Sequence, residues 1–402
     1  MGGQEVTDRQ RMLAAIRGEA VDRLPWVPRL DLWYRANRLA GTLPEKYRDA
    51  TLMEITDDLG WGCHAIVPDF TDLSGGGEDT DRGLGVYNLS CMPFRTVFEN
   101  LEKKVTVDGD RTLVEYATPH GTIRTAALLD ASMRAAGITI SHMEERAFKT
   151  EADYDALGFV FENARVEPDY GGYGRYSDFV GERGLAAAFV SLAASPMHLI
   201  QRELMPFETF VFEMHDHPAE LRRLAESIDV YWRKIMAAAA GAPADLVFMG
   251  ANYDAMITYP PFFAEHILPT LKGYAEALHA KGKYLLTHTD GENSGLLEHY
   301  VAAGFDVADS VCPAPMTSLS FKDHRDAFDG RIVIMGGVPS VALLPESMSD
   351  KEFAAFLDGF FQEIGRGDHL IPGVSDTTPP GAKFERLVEI ARRIKDFGPV
   401  KA

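Results

Sequence analysis

The chain has 402 residues, 46% hydrophobic and 25% charged, and its 60 acidic side chains against 40 basic ones give a formal net charge of −20. That is the composition of a folded globular protein, and so acidic a surface repels nucleic acid and anionic membrane, which excludes a direct polyanion partner. The three cysteines, Cys63, Cys91 and Cys312, are odd in number and scattered, which argues against a disulfide framework and for a reducing compartment.

The opening "MGGQEVTDRQRMLAAIRGE" reads as a polar helix rather than a basic segment followed by an apolar one. No stretch reaches the roughly 18 uninterrupted apolar residues of a membrane span. A cytoplasmic protein is expected. From there, short apolar runs alternate with segments of helical period, the pattern of parallel strands joined by crossover helices. The runs are "LPWVPRLDL" (24 to 32), "CHAIVPDF" (63 to 70), "LAAAFVSLA" (185 to 193) and "DLVFMGANYD" (245 to 254). They continue with "KYLLTH" (283 to 288), "DVADSVC" (306 to 312), "RIVIMGGV" (331 to 338) and "HLIPGVS" (369 to 375). Between the fourth and fifth runs, Phe263, Ile267, Leu271, Tyr274 and Leu278 recur at helical spacing and Gly282 stands at the end. Eight such strands and a final helix, "AKFERLVEIARRIKDF", predict one α/β domain over residues 1 to 402, a (β/α)8 TIM barrel. An open doubly wound sheet is the competing architecture, but the Gly-rich phosphate turn after its first strand is missing.

Two segments break the rhythm. Residues 94 to 128 alternate in the β manner around "DGD" and again around Pro119-His120-Gly121, which predicts a β-hairpin inserted after the second strand. Residues 164 to 184, rich in Gly, Tyr and charge, read as a long surface loop.

In such a barrel the chemistry stands at the carboxyl ends of the strands. The reactive side chains expected there are Arg29 and Asp31, Asp69 and Asp72, Ser195 and His198, then Asn252, Tyr253 and Asp254. His288 and Asp290, Cys312, the Gly336-Gly337 pair, Ser375 and Asp376 complete the set. His288 and Asp290 fall on one side of an extended chain, since alternate residues face alike, and histidine, carboxylate and cysteine are all ligands that Zn²⁺ accepts. Each has a plainer role: a hydrogen-bonded histidine at the barrel mouth, a turn at Asp290-Gly291 capping the next helix, a small buried hydrophobe at Cys312. Gly336-Gly337 marks a close backbone approach, to a ligand or to a neighbouring strand.

"HTDGENSGLLEHYVAAGFDV" resembles the His-x-(Cys/Asp)-Gly segment of the uroporphyrinogen decarboxylase superfamily, a (β/α)8 family that also contains corrinoid-dependent methyltransferases. The likeness extends to "RMLAAIRGEAVDRLPWVP", "YATPHGTIR", "RIVIMGGVPSVALL" and "HLIPGVSDTTPPGAKFERLVEIARRI". The arginine-bearing segment of the true decarboxylases is diluted here to "YRANRLAGTLPEKY", and "TPHGTIR" looks like the methyltransferase branch. Thiol-directed members of that branch use His-x-Cys and a later Cys, whereas this chain has His288-x-Asp290 and "GVSDTTPP". The resemblance therefore implies an O-demethylating methyltransferase, moving methyl from a methoxylated or other methylated small molecule to the cobalt of a partner corrinoid protein. On that reading His288, Asp290 and Asp254 are catalytic, and His288, Asp290, Cys312 and Asp376 are ligands of a Zn²⁺ ion. Asn252, Tyr253, Ser195, Asp69, Arg29 and Gly337 are substrate contacts, and a homodimer is allowed. The alternative is a uroporphyrinogen decarboxylase-like enzyme acting on a tetrapyrrole or other carboxylate.

Overall fold

The structure is a computed structural model that describes residues 5 to 66 and 79 to 401. Its first strand, β1 (Phe94–Phe98), is followed by β2 (Glu102–Asp108), β3 (Arg111–Thr118), β4 (Gly121–Leu128) and β5 (His142–Glu145), and then by β6 (Ala164–Pro168). The remaining strands are β7 (Ala188–Ser191), β8 (Leu246–Ala251), β9 (Tyr284–His288), β10 (Val307–Val311), β11 (Val333–Pro339) and β12 (Leu370–Ser375). Strands β7 to β12 make one parallel sheet in chain order. Every residue of β7, β8, β10, β11 and β12 is buried. Helices cover such a sheet, which is why these strands read as unbroken apolar runs.

The last six of the eight runs predicted from sequence are thus strands. In the first two, residues 24 to 30 and 63 to 66 form no strand but run beside the sheet's outer strands, and Asp31 and Leu32 open the helix Asp31–Ala40. Val27 N–H donates to Pro372 O on β12 at 2.9 Å, Gly62 N–H to Trp26 O at 2.8 Å, Cys63 N–H to Arg183 O at 2.8 Å and Ala187 N–H to Ala65 O at 3.0 Å. Gly373 permits the first approach, since a Cβ there would lie 2.6 Å from Val27 O. The fold is α/β and TIM-barrel-like, with six parallel strands among the described residues where the sequence predicts eight in all; the end of the second run, 67 to 70, lies outside the described residues.

The helix predicted between the fourth and fifth strands forms, and Phe263, Ile267, Leu271, Tyr274 and Leu278 are all buried in it. Its first part, Phe263–Ile267, is a π-helical turn leading into Leu268–His279. Pro269, which has no N–H to give to a regular α-helical ladder, stands just after that turn. The last helix spans Phe384–Phe397 and buries Leu387, Ile390 and Ile394.

Both segments that broke the rhythm carry more structure than expected. Within 94 to 128, only β2, β3 and β4 form the expected antiparallel ladder; β5 extends it to four strands, and β1 pairs instead with β6. Asp81, 2% exposed, anchors this sheet to the body, accepting from Tyr116 Oη at 2.8 Å and pairing with Lys103 at 2.7 Å. Residues 164 to 184 are not a loop: they form β6 and the helix Tyr170–Val180, whose Tyr173, Tyr176 and Val180 are buried. The glycines disguised a helix whose aromatic stripe packs into the core, so tertiary burial outweighed a poor intrinsic propensity. Among the described residues no helix is long and apolar enough to cross a membrane.

Candidate active site

His288 is the last residue of β9, and the parallel register sets Asp309 of β10 directly beside it. Side chains in register on neighbouring strands point the same way, so His288 Nδ1 meets Asp309 Oδ2 at 2.6 Å. The other ring nitrogen, Nε2, lies 3.3 Å from Asp290 Oδ1 and 3.1 Å from Asp376 Oδ1. Asp376 directly follows the end of β12, so residues from distant parts of the chain meet where three strands end. Among the described residues, one group of three metal-ligand side chains brings its ligand atoms within 4.8 Å of one another: His288, Asp290 and Asp376.

Each carboxylate is held by a partner of its own. Asn252, just past β8, donates Nδ2–H to both oxygens of Asp290 at 2.7 Å. Its own backbone N–H donates to His288 O at 3.1 Å, and it sits at φ +60°, a left-handed conformation that asparagine tolerates better than most residues. Asp376 Oδ1 accepts from Arg29 at 2.5 Å and from Ser310 Oγ at 3.2 Å. Arg29 also pairs with Asp31 at 3.3 Å and is buried. Asp309 and Ser310 are consecutive, yet both serve the site. The β10 to β11 ladder shifts register between Ala308 and Val311, and Ser310 has φ +61°. That irregularity breaks the alternation of faces and turns two neighbouring side chains toward one place.

The electrostatics follow from burial and crowding. Burial disfavours the charged imidazole of His288, but Asp290 and Asp376 outweigh it, helped by the bond to Asp309, and raise its pKa well above the usual histidine value. Asp290 is raised by burial and by Asp376, with His288 opposing. Burial opposes ionisation of Asp376 too, yet Arg29 and His288 hold its carboxyl below the usual range. Asp309 is likewise depressed, between His64 and His288.

The structure sorts the other residues singled out from sequence. Tyr253 is fully buried and its hydroxyl lies 2.6 Å from Thr287 Oγ1, which packs it into the core beside the site. Ser195, also buried, caps the short helix Pro196–Leu199 by accepting from His198 N–H at 3.1 Å. Asp254 accepts backbone N–H groups of Met256 at 2.8 Å and Glu292 at 3.1 Å, tying two loops together. Arg29 is bound to carboxylates of the chain itself, and Gly337, at φ +90°, faces Phe321, whose ring a Cβ would meet at 2.6 Å. Cys312 is buried, its thiol is pushed up to about 12 by burial and by Asp290 and Asp376, and its sulfur is outside the three-ligand group. Asp69 and Asp72 lie outside the described residues. Sequence reasoning passed over Asp309 and His64; the available signal was a lone charged or polar residue inside an otherwise apolar run.

No protein-family model matches the sequence, and no curated protein matches it. Among solved structures the chain is similar to a methyltransferase from Methanosarcina mazei, with a TM-score of 0.51 and 14% identity, over 98% of this chain and 99% of that one. The likeness is one of fold, and it runs the full length of both proteins.

Proposed function

We propose that the protein is a methyltransferase that takes a methyl group from a methoxylated or otherwise methylated small molecule and passes it to the cobalt of a corrinoid carried by a partner protein. The observation that carries the reading is the convergence of His288, Asp290 and Asp376 where the strands end. Full-length likeness of fold to a methyltransferase supports it at the level of methyl transfer.

The donor set fits a divalent ion. Asp290, Asp309 and Asp376 surround His288, and Arg29, the guanidinium in contact with Asp376, is shared with Asp31, an excess of negative charge that a Zn²⁺ ion would offset. His288 has its other nitrogen bound to a carboxylate, one of the partners that orient histidine ligands of metals. His288, Asp290 and Asp376 would hold the ion, and its Lewis acidity would make an ether or phenolate oxygen a better leaving group as its methyl departs. Asn252 fixes Asp290, Arg29 and Ser310 fix Asp376, and Asp309 fixes His288, so the ligands are set before substrate arrives. Without an ion, His288 holds a proton at Nε2 between two carboxylates, placed to protonate the departing oxygen. The same carboxylates make the site the wrong sign for a substrate as anionic as a porphyrinogen, and the nearest arginine, Arg29, is already engaged.

The test incubates purified protein with free cob(I)alamin and a panel of methoxylated aromatics and other methylated compounds, following methylcobalamin by absorbance. His288→Ala is expected to lower the rate by about 100-fold or more. Full activity after metal stripping would remove the Lewis-acid role, and stepwise CO₂ loss from uroporphyrinogen would replace the reading altogether.

A further inference from the structure

We infer that Asp309 is a positioning residue that aims His288 Nε2 at Asp290 and Asp376, and that His64 is the second anchor that keeps Asp309 in place. This rests on the metal-site reading above and extends it to two side chains outside the ligand set.

Asp309 is 2% exposed and carries one imidazole on each oxygen: His288 Nδ1 at 2.6 Å from Oδ2 and His64 Nε2 at 3.1 Å from Oδ1. A carboxylate is acceptor-only, so each imidazole must present an N–H to it. For His288 this fixes the tautomer: the proton sits on Nδ1 and the lone pair of the neutral ring points from Nε2 toward the two ligand carboxylates. For His64 the other nitrogen decides. Its Nδ1 is buried with no hydrogen-bond partner among the described residues, so the ring places its N–H on Nε2, where Asp309 accepts it; an N–H on Nδ1 would leave Asp309 facing a lone pair. Both oxygens are thereby committed. The backbone holds the arrangement from a third side, since Thr289 N–H donates to Asp309 O at 2.7 Å and Thr289 Oγ1 at 3.1 Å.

The geometry explains why an amide could not replace this carboxylate. Asparagine offers one acceptor and one donor, so it satisfies one histidine and forces the other ring to turn over its tautomer or lose its bond. His64 comes from the extended segment before residue 67 and Asp309 from β10, so the pairing also ties a segment at the sheet's edge to the site.

The experiment measures zinc affinity of metal-stripped protein by competition with a chromophoric chelator, for wild type, Asp309→Asn and His64→Leu, with circular dichroism confirming the fold. Asp309→Asn is expected to bind zinc roughly 10- to 100-fold more weakly, and His64→Leu to weaken binding by a smaller factor. A second readout is the cobalt(II)-substituted protein, whose His288 Nδ1–H should give a paramagnetically shifted proton signal that is present in H₂O and absent in D₂O. Asp309→Asn should move or abolish that signal, which a merely structural role would leave in place. Zinc affinities of both variants within twofold of wild type, with the proton signal unmoved, would overturn the inference while leaving the metal site intact. Wild type that binds no zinc would overturn the metal reading and this one with it. If Asp309→Asn does not fold, His64→Leu alone decides: unchanged affinity and an unmoved signal count against the inference.

Discussion

Asn252 and Asp290 come from the ends of neighbouring strands, and one amide nitrogen of Asn252 reaches both oxygens of the Asp290 carboxylate at 2.7 Å. Two replacements separate its two contributions. Asn252→Gly relieves the positive φ but removes the donor, so stability in urea should change little while zinc affinity falls about tenfold. Asn252→Ala should lose the same affinity and in addition about 1 kcal/mol of stability, because alanine keeps a Cβ in the left-handed conformation without the short polar side chain that lets asparagine tolerate it.

Arg29 links Asp31 and Asp376, and both it and Asp31 are buried. Arg29→Met should therefore leave carboxylates without their cation and cost about 3 kcal/mol in urea denaturation, because an uncompensated buried charge is worse than a lost pair. Arg29→Lys should recover part of that and not all, since a point charge cannot serve two carboxylates as a planar fork does.

His198 gives the stability a defined pH slope. It is buried, its Nδ1 accepts from Ala194 N–H at 3.1 Å, and burial together with Arg202 lowers its pKa to about 3. The unfolded chain takes up this proton near pH 6.5 while the folded protein refuses it until about 3. Its contribution is therefore complete above pH 6.5 and is lost on acidification, at about 1.4 kcal/mol per pH unit. Urea titrations between pH 5 and 7.5 should show this slope reduced by about one proton in His198→Gln.

Tyr253 tests the division between core and site. Thr287 Oγ1 donates to Gly250 O at 3.1 Å and so accepts from the Tyr253 hydroxyl. Tyr253→Phe should cost about 1 kcal/mol for the lost buried bond, and methyl transfer should stay within twofold of wild type. A large loss of activity at unchanged stability would make Tyr253 a substrate contact.

Gly373 tests how the extended segment carrying Arg29 reaches the sheet. A Cβ there meets backbone, Val27 O at 2.6 Å, rather than a side chain that could swing aside. Gly373→Ala should destabilise by about 2 kcal/mol in urea and weaken zinc binding as well, because displacing that segment moves Arg29 away from Asp376.

The sequence by itself determined where six buried parallel strands run and where they stop. Apolar periodicity is a local property, and strands covered on both faces write themselves as continuous apolar runs, as from Tyr284 to His288. It also determined that His288 and Asp290 share a side, because alternation along an extended chain needs no partner. Only the tertiary structure decided which residues stand across from them. Asp309 acts on His288 through the register of two strands, Asp376 arrives from the far end of the chain, and His64 reaches Asp309 from an extended segment with no strand of its own. The same reason explains what local pattern leaves open. Tyr253 and Ser195 look reactive in a string of letters, but a hydroxyl becomes a core bond or a helix cap according to what packs around it. The stretch 164 to 184 looks like a loop until burial of its tyrosines makes a helix the more stable state. Local pattern sets the elements, whereas register and long-range packing choose which side chains converge, and neither of those is written in any short window of sequence.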